Sequence, residues 1–265
     1  MSNDITALAS AAAYLGEGDV LADVWDEDTQ SWWGAWKPFG EATKFAIKNN
    51  TETKEKESRG RHKRGQLVAS VALLKSPEIE IVFGELNADT ARLAFMGKTL
   101  NLDQGSGTFA AGTTVTLRHG MWVHVGKRNL VEAGFAVTED TDTDPDGYTK
   151  GTDYEVNWRL GMIRAIAGGA IADKQVVRVA GGYSAVDGKV IQGAVRPQLR
   201  ARFLLDGRNL VDGSDSECEV FEAVVAPDSE FDFMADDFGE VTLKGKLVTP
   251  AGKDSPYDVR FPKRG

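Results

Sequence analysis

The sequence predicts an all-β fold of the sandwich or barrel class, with one short packed α-helix and long loops. In most apolar segments the apolar residues alternate with charged ones, which is the period-two pattern of strands with one buried face. Only the segment 88–95 has apolar residues at helical spacing. A chain of 265 residues with 42% hydrophobic content can fill one large core, with or without an insertion.

The N-terminal part predicts an arm followed by two strands. Residues 1–13 are small and polar and then alanine-rich, so we expect an arm that becomes ordered only against another surface. The segment Tyr14 to Val24 predicts the first strand. Phe45 and Ile47 alternate with lysines and predict a half-buried strand.

Four tryptophans lie in the loop or hairpin between these strands, at Trp25, Trp32, Trp33 and Trp36. Such a group can be a stacking platform for carbohydrate. Aromatic residues in loops more often cap the edge of a core or become buried at a subunit contact, and we favour that interpretation.

The segment 49–65 is strongly polar and predicts a long loop at the tip of a hairpin. It carries six basic residues, Lys54, Lys56, Arg59, Arg61, Lys63 and Arg64. Interspersed glutamates and the absence of aromatic residues argue against nucleic-acid binding. Because the rest of the chain is acidic, these residues favour head-to-tail contact between copies, while a mobile loop without a partner remains the alternative.

The next stretch predicts strand, turn, strand and helix. Leu67 to Leu74 is almost wholly apolar, as in a strand covered on both faces. Pro77 predicts a turn at 75–78, because proline cannot donate to a central ladder. Asn87 is a good N-cap for the helix, and Gly97 is a good residue for the C′ position that follows it.

The remainder predicts further strands within a single domain, 1–265, in which 184–265 is a candidate C-terminal extension or second subregion. One charged row predicts cross-strand ion pairs. It places Arg196, Arg200 and Arg202 opposite Glu217, Glu219 and Glu222. Such a row is a solvated face in a monomer and an interface in an oligomer.

The sequence gives little support for catalysis or for a cofactor. It has no nucleophile elbow, P-loop or dinucleotide fingerprint. Its single cysteine, Cys218, alternates with glutamates and predicts a small core residue. The net charge of −9 argues against a general nucleic-acid binder, and no apolar run is long enough to cross a bilayer. We therefore expect no enzyme and no membrane partner.

One acidic segment has the spacing of a calcium loop. Carboxylates occupy loop positions one, three, five and twelve, at Asp142, Asp144, Asp146 and Asp153, with glycine at position six. However, aspartate at position twelve is too short for the usual bidentate reach, and no helices flank the loop. An acidic hairpin turn without metal is the alternative.

Three stretches together resemble the major tail protein, or tail tube protein, of long-tailed bacteriophages. The first comprises Tyr14-Leu-Gly-Glu-Gly-Asp, Trp36-Lys-Pro-Phe-Gly-Glu-Ala and Phe45-Ala-Ile-Lys. The second runs from Ile79-Glu-Ile-Val-Phe through Leu86-Asn-Ala to Gly97. The third is Asp153-Tyr-Glu-Val-Asn-Trp-Arg-Leu-Gly-Met-Ile. The chain departs from that family in its early tryptophans and in its long region after Tyr183.

The resemblance implies a structural subunit of the virion tail, assembled in the host cytoplasm from identical copies and other tail proteins. Rings, hexameric in the family, stack into a tube whose lumen is lined by one continuous β-barrel. The helix packs outside this barrel, and the long hairpin and terminal arms join the rings. DNA passes through the acidic lumen without specific binding. The alternative function is a carbohydrate-binding β-sandwich module with a calcium loop.

Overall fold

A computed structural model describes residues 13–141, 143, 145–228, 230–236 and 238–262. The predicted 1–13 arm therefore lies almost wholly outside the described residues. The first elements are β1 (Gly16–Asp26), β2 (Ser31–Trp32), β3 (Lys37–Pro38), β4 (Ala42–Glu57), β5 (Leu67–Phe83) and helix α1 (Ala88–Ala94). This helix is the only one in the described ranges, and at seven residues it is far too short to span a bilayer.

The later elements are all strands. They are β6 (Lys98–Gln104), β7 (Gly107–Thr108), β8 (Thr114–Thr116), β9 (Val123–His124), β10 (Leu130–Glu139), β11 (Tyr154–Asn157), β12 (Met162–Ala165), β13 (Val176–Tyr183) and β14 (Val186–Gln192). The chain continues with β15 (Leu199–Asn209), β16 (Asp215–Pro227), β17 (Val241–Leu247) and β18 (Tyr257–Arg260). The predicted all-β class with one short helix is confirmed.

The chain divides into two compact units. Unit 1 combines the residues up to Thr99 with those from Ile191 onward, and unit 2 comprises Leu100–Val190. The chain passes into unit 2 through β6 and returns through β14, and these two strands pair with each other. Unit 2 is therefore an insertion within unit 1.

Unit 1 is built on one antiparallel sheet with the strand order β2-β1-β15-β16-β17-β5-β4, to which β3 adds beside β1 and β18 beside β16. The central strand β16 shows the alternation most regularly, with buried and partly buried residues in turn. The largest buried side chains are Phe39, Ile79, Ile81, Phe83, Phe203 and Leu243. The strands β15 to β18, from the predicted 184–265 subregion, thus contribute the centre of this sheet.

Helix α1 has a defined capping arrangement at each end. Asn87 caps the N-terminus, as the sequence predicts, and it forms a capping box with Thr90. At the other end Met96, not Gly97, takes the left-handed conformation, with a φ of 47°. Gly97 is required for a different reason, since a Cβ there would lie 2.5 Å from the side chain of Ile191.

The strands β4 and β5 form the longest hairpin of the described chain. Its loop is shorter than the predicted 49–65, because β4 continues to Glu57 and pairs with β5 as far as Leu67. The connection is confined to 58–66. Backbone ladder bonds do not require apolar side chains, so the apolar strand β5 is sufficient to hold the polar half of β4 in a strand.

The predicted turn at 75–78 is absent, and β5 runs straight through Pro77. A bulge accommodates the proline, because Lys48 pairs with Glu78 whereas Asn50 pairs with Lys75. On the other side of β5, pairing with β17 starts only at Glu78. The missing N–H of Pro77 therefore costs no ladder bond on either side.

Unit 2 contains two small sheets and its own core. One sheet has the order β10-β13-β7, with β8 also paired to β13, and the other has the order β11-β12-β9. Its core side chains include Leu117, Val137, Tyr154, Ile163, Ile171 and Val177. Its strands are short, and β8 and β9 lie on either side of Gly120, which has a left-handed φ of 69°.

Candidate intersubunit surface

The hairpin β4–β5 extends well beyond the main sheet of unit 1. We call residues 49–76 the arm, which is distinct from the predicted N-terminal arm at 1–13. Its ladder runs from the pair Asn50–Lys75 to the pair Glu57–Leu67, a length of about 25 Å at the usual rise per residue. Along this stretch neither strand pairs with a third strand in the described parts of the chain. The arm therefore has two open edges.

The apolar strand of the arm is exposed, which contradicts the prediction that Leu67–Leu74 is covered on both faces. Every residue of this segment is exposed, including Val68 at 62% and Leu74 at 85%. A two-stranded ladder has no layer on either face, so its apolar side chains have nothing to pack against within one copy. A contiguous exposed apolar surface of this kind marks an interaction site.

The two faces of the arm differ in charge. Residues paired across an antiparallel ladder share a face, so Lys54 lies beside Val71 and Lys56 beside Ala69. Leu73 shares this face with Glu52, whose charge is paired with Lys75, and we call Lys54, Lys56, Ala69, Val71 and Leu73 the basic face of the arm. Neither Lys54 nor Lys56 has an ion-pair partner among the described residues. The opposite face is not basic, because there a glutamate and threonines lie beside the apolar strand.

The turn 58–66 brings the other predicted basic residues to the end of the arm. Ser58 donates its backbone N–H to Gln66 O at 2.8 Å, and Gly65 donates to Ser58 O at 3.0 Å, which closes the turn. The exposed tip carries Arg59, Arg61, Lys63 and Arg64 and no acidic residue. Over 49–76, seven lysines and arginines against three glutamates give a net charge of 7 − 3 = +4.

The main sheet also has open edges outside the arm. Strand β4 is an edge strand over its whole length, 16 residues. At the other side, the only described strands that cover β1 are the two-residue strands β2 and β3. Long open edges expose unpaired backbone groups and favour pairing with another chain.

Three of the four tryptophans have occupied ring faces, whereas Trp36 is 41% exposed. Trp25 and Trp32 meet edge to face with centroids 5.3 Å apart. The guanidinium of Arg200 lies 4.9 Å from the Trp25 ring, and that of Arg202 lies 4.0 Å from the Trp32 ring. Trp33 packs against the core. This geometry favours the interpretation that the tryptophans cap the edge of the core over the interpretation that they stack on carbohydrate.

The predicted row of ion pairs is correct at one position. Arg200 binds Glu222, with a 2.8 Å distance from Nη2 to Oε1. Arg196 and Arg202 pair instead with carboxylates in the segment 23–28. The register explains the difference for Arg202, which lies directly opposite Asp23 on β1 and at a bulge relative to β16.

In the acidic segment of unit 2, Asp153 stabilises the loop through hydrogen bonds to the backbone. Its two carboxylate oxygens accept backbone hydrogen bonds from Thr149, at 2.7 Å, and from Ala170, at 2.8 Å. These bonds lower the pKa of Asp153, that from Ala170 most. Asp146 is exposed, while Asp142 and Asp144 lie outside the described residues. The calcium loop stays a prediction, although Asp153 already has backbone partners at both oxygens.

The other candidate reactive side chains, one cysteine and two histidines, are buried or hydrogen-bonded within the fold. Cys218 is 7% exposed, as predicted for a core residue, and burial raises the pKa of its thiol to about 11. His119 Nε2 lies 2.8 Å from the carbonyl oxygen of Ile171, and His124 Nδ1 accepts the N–H of Gly126. Within the described ranges, no three histidine, cysteine or acidic side chains come together as a metal site.

Comparison with known proteins assigns the chain to a family without assigning an activity. A search of curated proteins finds no match to this sequence. One family model matches residues 13–256, which covers nearly all of both units. The chain therefore belongs to the family described as "Protein of unknown function UCP028589".

Proposed function

We propose that this protein is a structural subunit of a bacteriophage tail tube, which assembles with identical copies into stacked rings. The observation that carries the proposal is the arm, whose apolar strand is exposed on both faces of the ladder. Folding a strand in water with five exposed leucine and valine side chains is costly unless another surface covers them. In a ring or tube of identical copies, a neighbouring copy supplies the surface that covers these side chains.

The open sheet of unit 1 supports the same proposal. Pairing of β4 with the free part of β1 in the next copy satisfies both edges and joins the sheets into a continuous barrel around a lumen. The net charge of −9 suits such a conduit, because an acidic wall repels the phosphates of passing DNA. The hexameric ring and the genome-delivery role come from the family resemblance.

A carbohydrate-binding module receives less support. It requires free aromatic faces, but arginines cover those of Trp25 and Trp32. It also gives no role to the arm or to its basic residues. A tube subunit accounts for both the exposed arm and the open edges.

The decisive experiment measures assembly by light scattering after size exclusion and by negative-stain microscopy. The test variant replaces residues 51–74 with Asn-Gly, which joins Asn50 to Lys75 by a two-residue hairpin turn. Both strands are shortened together, so no apolar strand is left without its partner. We expect rings or tubes from the natural chain and a folded monomer, with unchanged β circular dichroism, from the shortened chain.

A matched control removes exposed apolar surface elsewhere. Leu210→Ser with Val211→Ser alters side chains that are 50% and 58% exposed at the β15–β16 turn, and we expect normal assembly. A natural chain that stays monomeric at high concentration contradicts the proposal. Normal tubes from the shortened chain contradict the role of the arm.

A further inference from the structure

The connection between β16 and β17 is a second unusual surface of unit 1. We call residues 228–240 the acidic aromatic segment. It contains six aspartates and glutamates, three phenylalanines and a methionine, and no lysine or arginine. The described residues of this 13-residue connection have no regular secondary structure, and a connection of this length is long for a compact domain and is typically functional.

The aromatic side chains of this segment are anchored yet exposed. Phe231 packs against the core of unit 1. Phe233 stacks on Phe95, just beyond the end of α1, with centroids 5.4 Å apart and planes 13° apart. Nevertheless Phe233 is 74% exposed, and Met234 and Phe238 are 90% and 97% exposed. The segment therefore presents apolar side chains to solvent on a base that is fixed to the core.

Most of the described charges around these side chains lack ion-pair partners within one copy. Asp228 pairs with Lys244. By contrast, Glu230, Asp232, Asp236 and Glu240 have no ion pair among the described residues. The same holds for six of the seven lysines and arginines of the arm, since only Lys75 pairs, with Glu52. One chain thus carries two exposed apolar surfaces of opposite charge, both in unit 1, and most of their described charged residues have no ion-pair partner.

We propose that the acidic aromatic segment is the receptor for the basic face of the arm from a second copy. This inference rests on the proposed function and adds to it the surface that the arm contacts. Lys54 and Lys56 meet Asp232 and Asp236, while Val71 and Leu73 of the arm cover the exposed aromatic side chains.

Other partners fit only one of the two surfaces. Nucleic acid neutralises the arm but is repelled by the acidic aromatic segment, and an anionic membrane is repelled in the same way. A second copy matches both surfaces in charge and in apolar character. Because the two surfaces differ, each copy uses both at once, and the contact is heterologous and propagates from copy to copy.

The test reverses the charge of each surface separately. The arm variant is Lys54→Glu with Lys56→Glu, and the segment variant is Asp232→Lys with Asp236→Lys. Each variant alone places like charges at the contact, so we expect it to need at least about tenfold more protein to assemble than the natural chain. The concentration for assembly is measured by sedimentation and light scattering.

Mixing the two variants supplies the specific readout. The acidic arm of one then meets the basic segment of the other, and the natural arm of the second meets the natural segment of the first. We expect an equimolar mixture to assemble at the concentration of the natural chain. A rescue by mixing also shows that both variants are folded.

The control is Asp187→Lys with Asp254→Lys, which changes the net charge as much as the segment variant does but alters exposed residues outside it. We expect this control to assemble normally. If the segment variant also assembles normally, or if mixing restores nothing, the inference is wrong. If in addition the shortened arm still abolishes assembly, the proposed function stands and only its receptor surface has been misplaced.

Discussion

At the scale of single residues, Asp153 shows how a carboxylate can stabilise a loop without a metal. It accepts backbone hydrogen bonds from Thr149 and Ala170, and these stabilise its charged form. Its pKa in the folded protein is therefore below that in the unfolded chain. The stabilisation is complete above the unfolded pKa, about 3.9, and is lost as the pH falls through the folded pKa.

We predict that Asp153→Asn lowers the melting temperature at pH 7, because one of the two accepting oxygens becomes an NH2 group, which cannot accept a backbone N–H. The difference from the natural chain should shrink below about pH 4, where the natural carboxylate also becomes protonated. Thermal unfolding followed by circular dichroism from pH 7 to pH 3 measures both effects. Asp187→Asn, at an exposed position, is the control. A constant difference at all pH values contradicts the assignment.

Local chemistry made some single residues predictable and left others unpredictable. Asn87 is a good N-cap because its side chain bonds to the next turn, and Cys218 is a core residue because it alternates with glutamates. The contact of Arg202 with Trp32 joins positions 170 residues apart, and it follows only from the register of β1 with β15. Pattern within a segment therefore predicts caps and burial, but not long-range partners.

At the scale of elements, the turn between β11 and β12 depends on one glycine. Gly161 has a φ of 66°, and a Cβ there would lie 1.7 Å from the carbonyl oxygen of Lys127. We predict that Gly161→Ala destabilises the protein by about 2–4 kcal/mol, through backbone strain and steric overlap. Urea unfolding measures the change.

Gly188→Ala is the matched control in the same unit. Gly188 lies on β14, and a Cβ at this position has no atom within 4 Å. We expect a change within about 0.5 kcal/mol. We claim that the fold requires glycine at position 161 because of the conformation of this turn. If the two variants lose the same free energy of unfolding, that claim is wrong.

The arm shows why burial of an element is harder to predict than its type. The apolar run Leu67–Leu74 correctly predicts a strand, because its residue types and length suit a strand in any environment. Its exposure depends on which strands flank it, and β17 pairs only with the other half of β5. Pro77 misled in the same way, since the bulge in β5 that accommodates it is defined only by the pairing of β5 with β4.

At the scale of the whole molecule, the division into two units left no mark in the sequence. The boundary at Leu100 lies inside a strand, β6, so neither a linker composition nor a change in charge signals it. The basic half of the candidate surface was predictable because six basic residues lie close together. The acidic aromatic segment was not, because its significance depends on the exposure of Phe233 and Phe238, which a sequence pattern does not reveal.

The separation of charge between the arm and the acidic aromatic segment predicts how salt affects assembly. Opposite charges accelerate encounter through long-range attraction, and this attraction is screened once the Debye length becomes shorter than the approach distance. We predict that the initial assembly rate falls about tenfold between about 50 mM and about 500 mM NaCl. The final amount of assembled protein should change much less, because burial of Val71, Leu73 and Met234 is insensitive to screening.

Time-resolved light scattering on freshly isolated monomer measures both quantities. The control variant, Lys54→Gln with Lys56→Gln, should assemble more slowly than the natural chain at low salt and should show a weaker dependence on salt. A rate that is constant, or that rises with salt in the natural chain, would mean that apolar contact alone drives association. In that case the basic residues of the arm would have to serve solubility and not recognition.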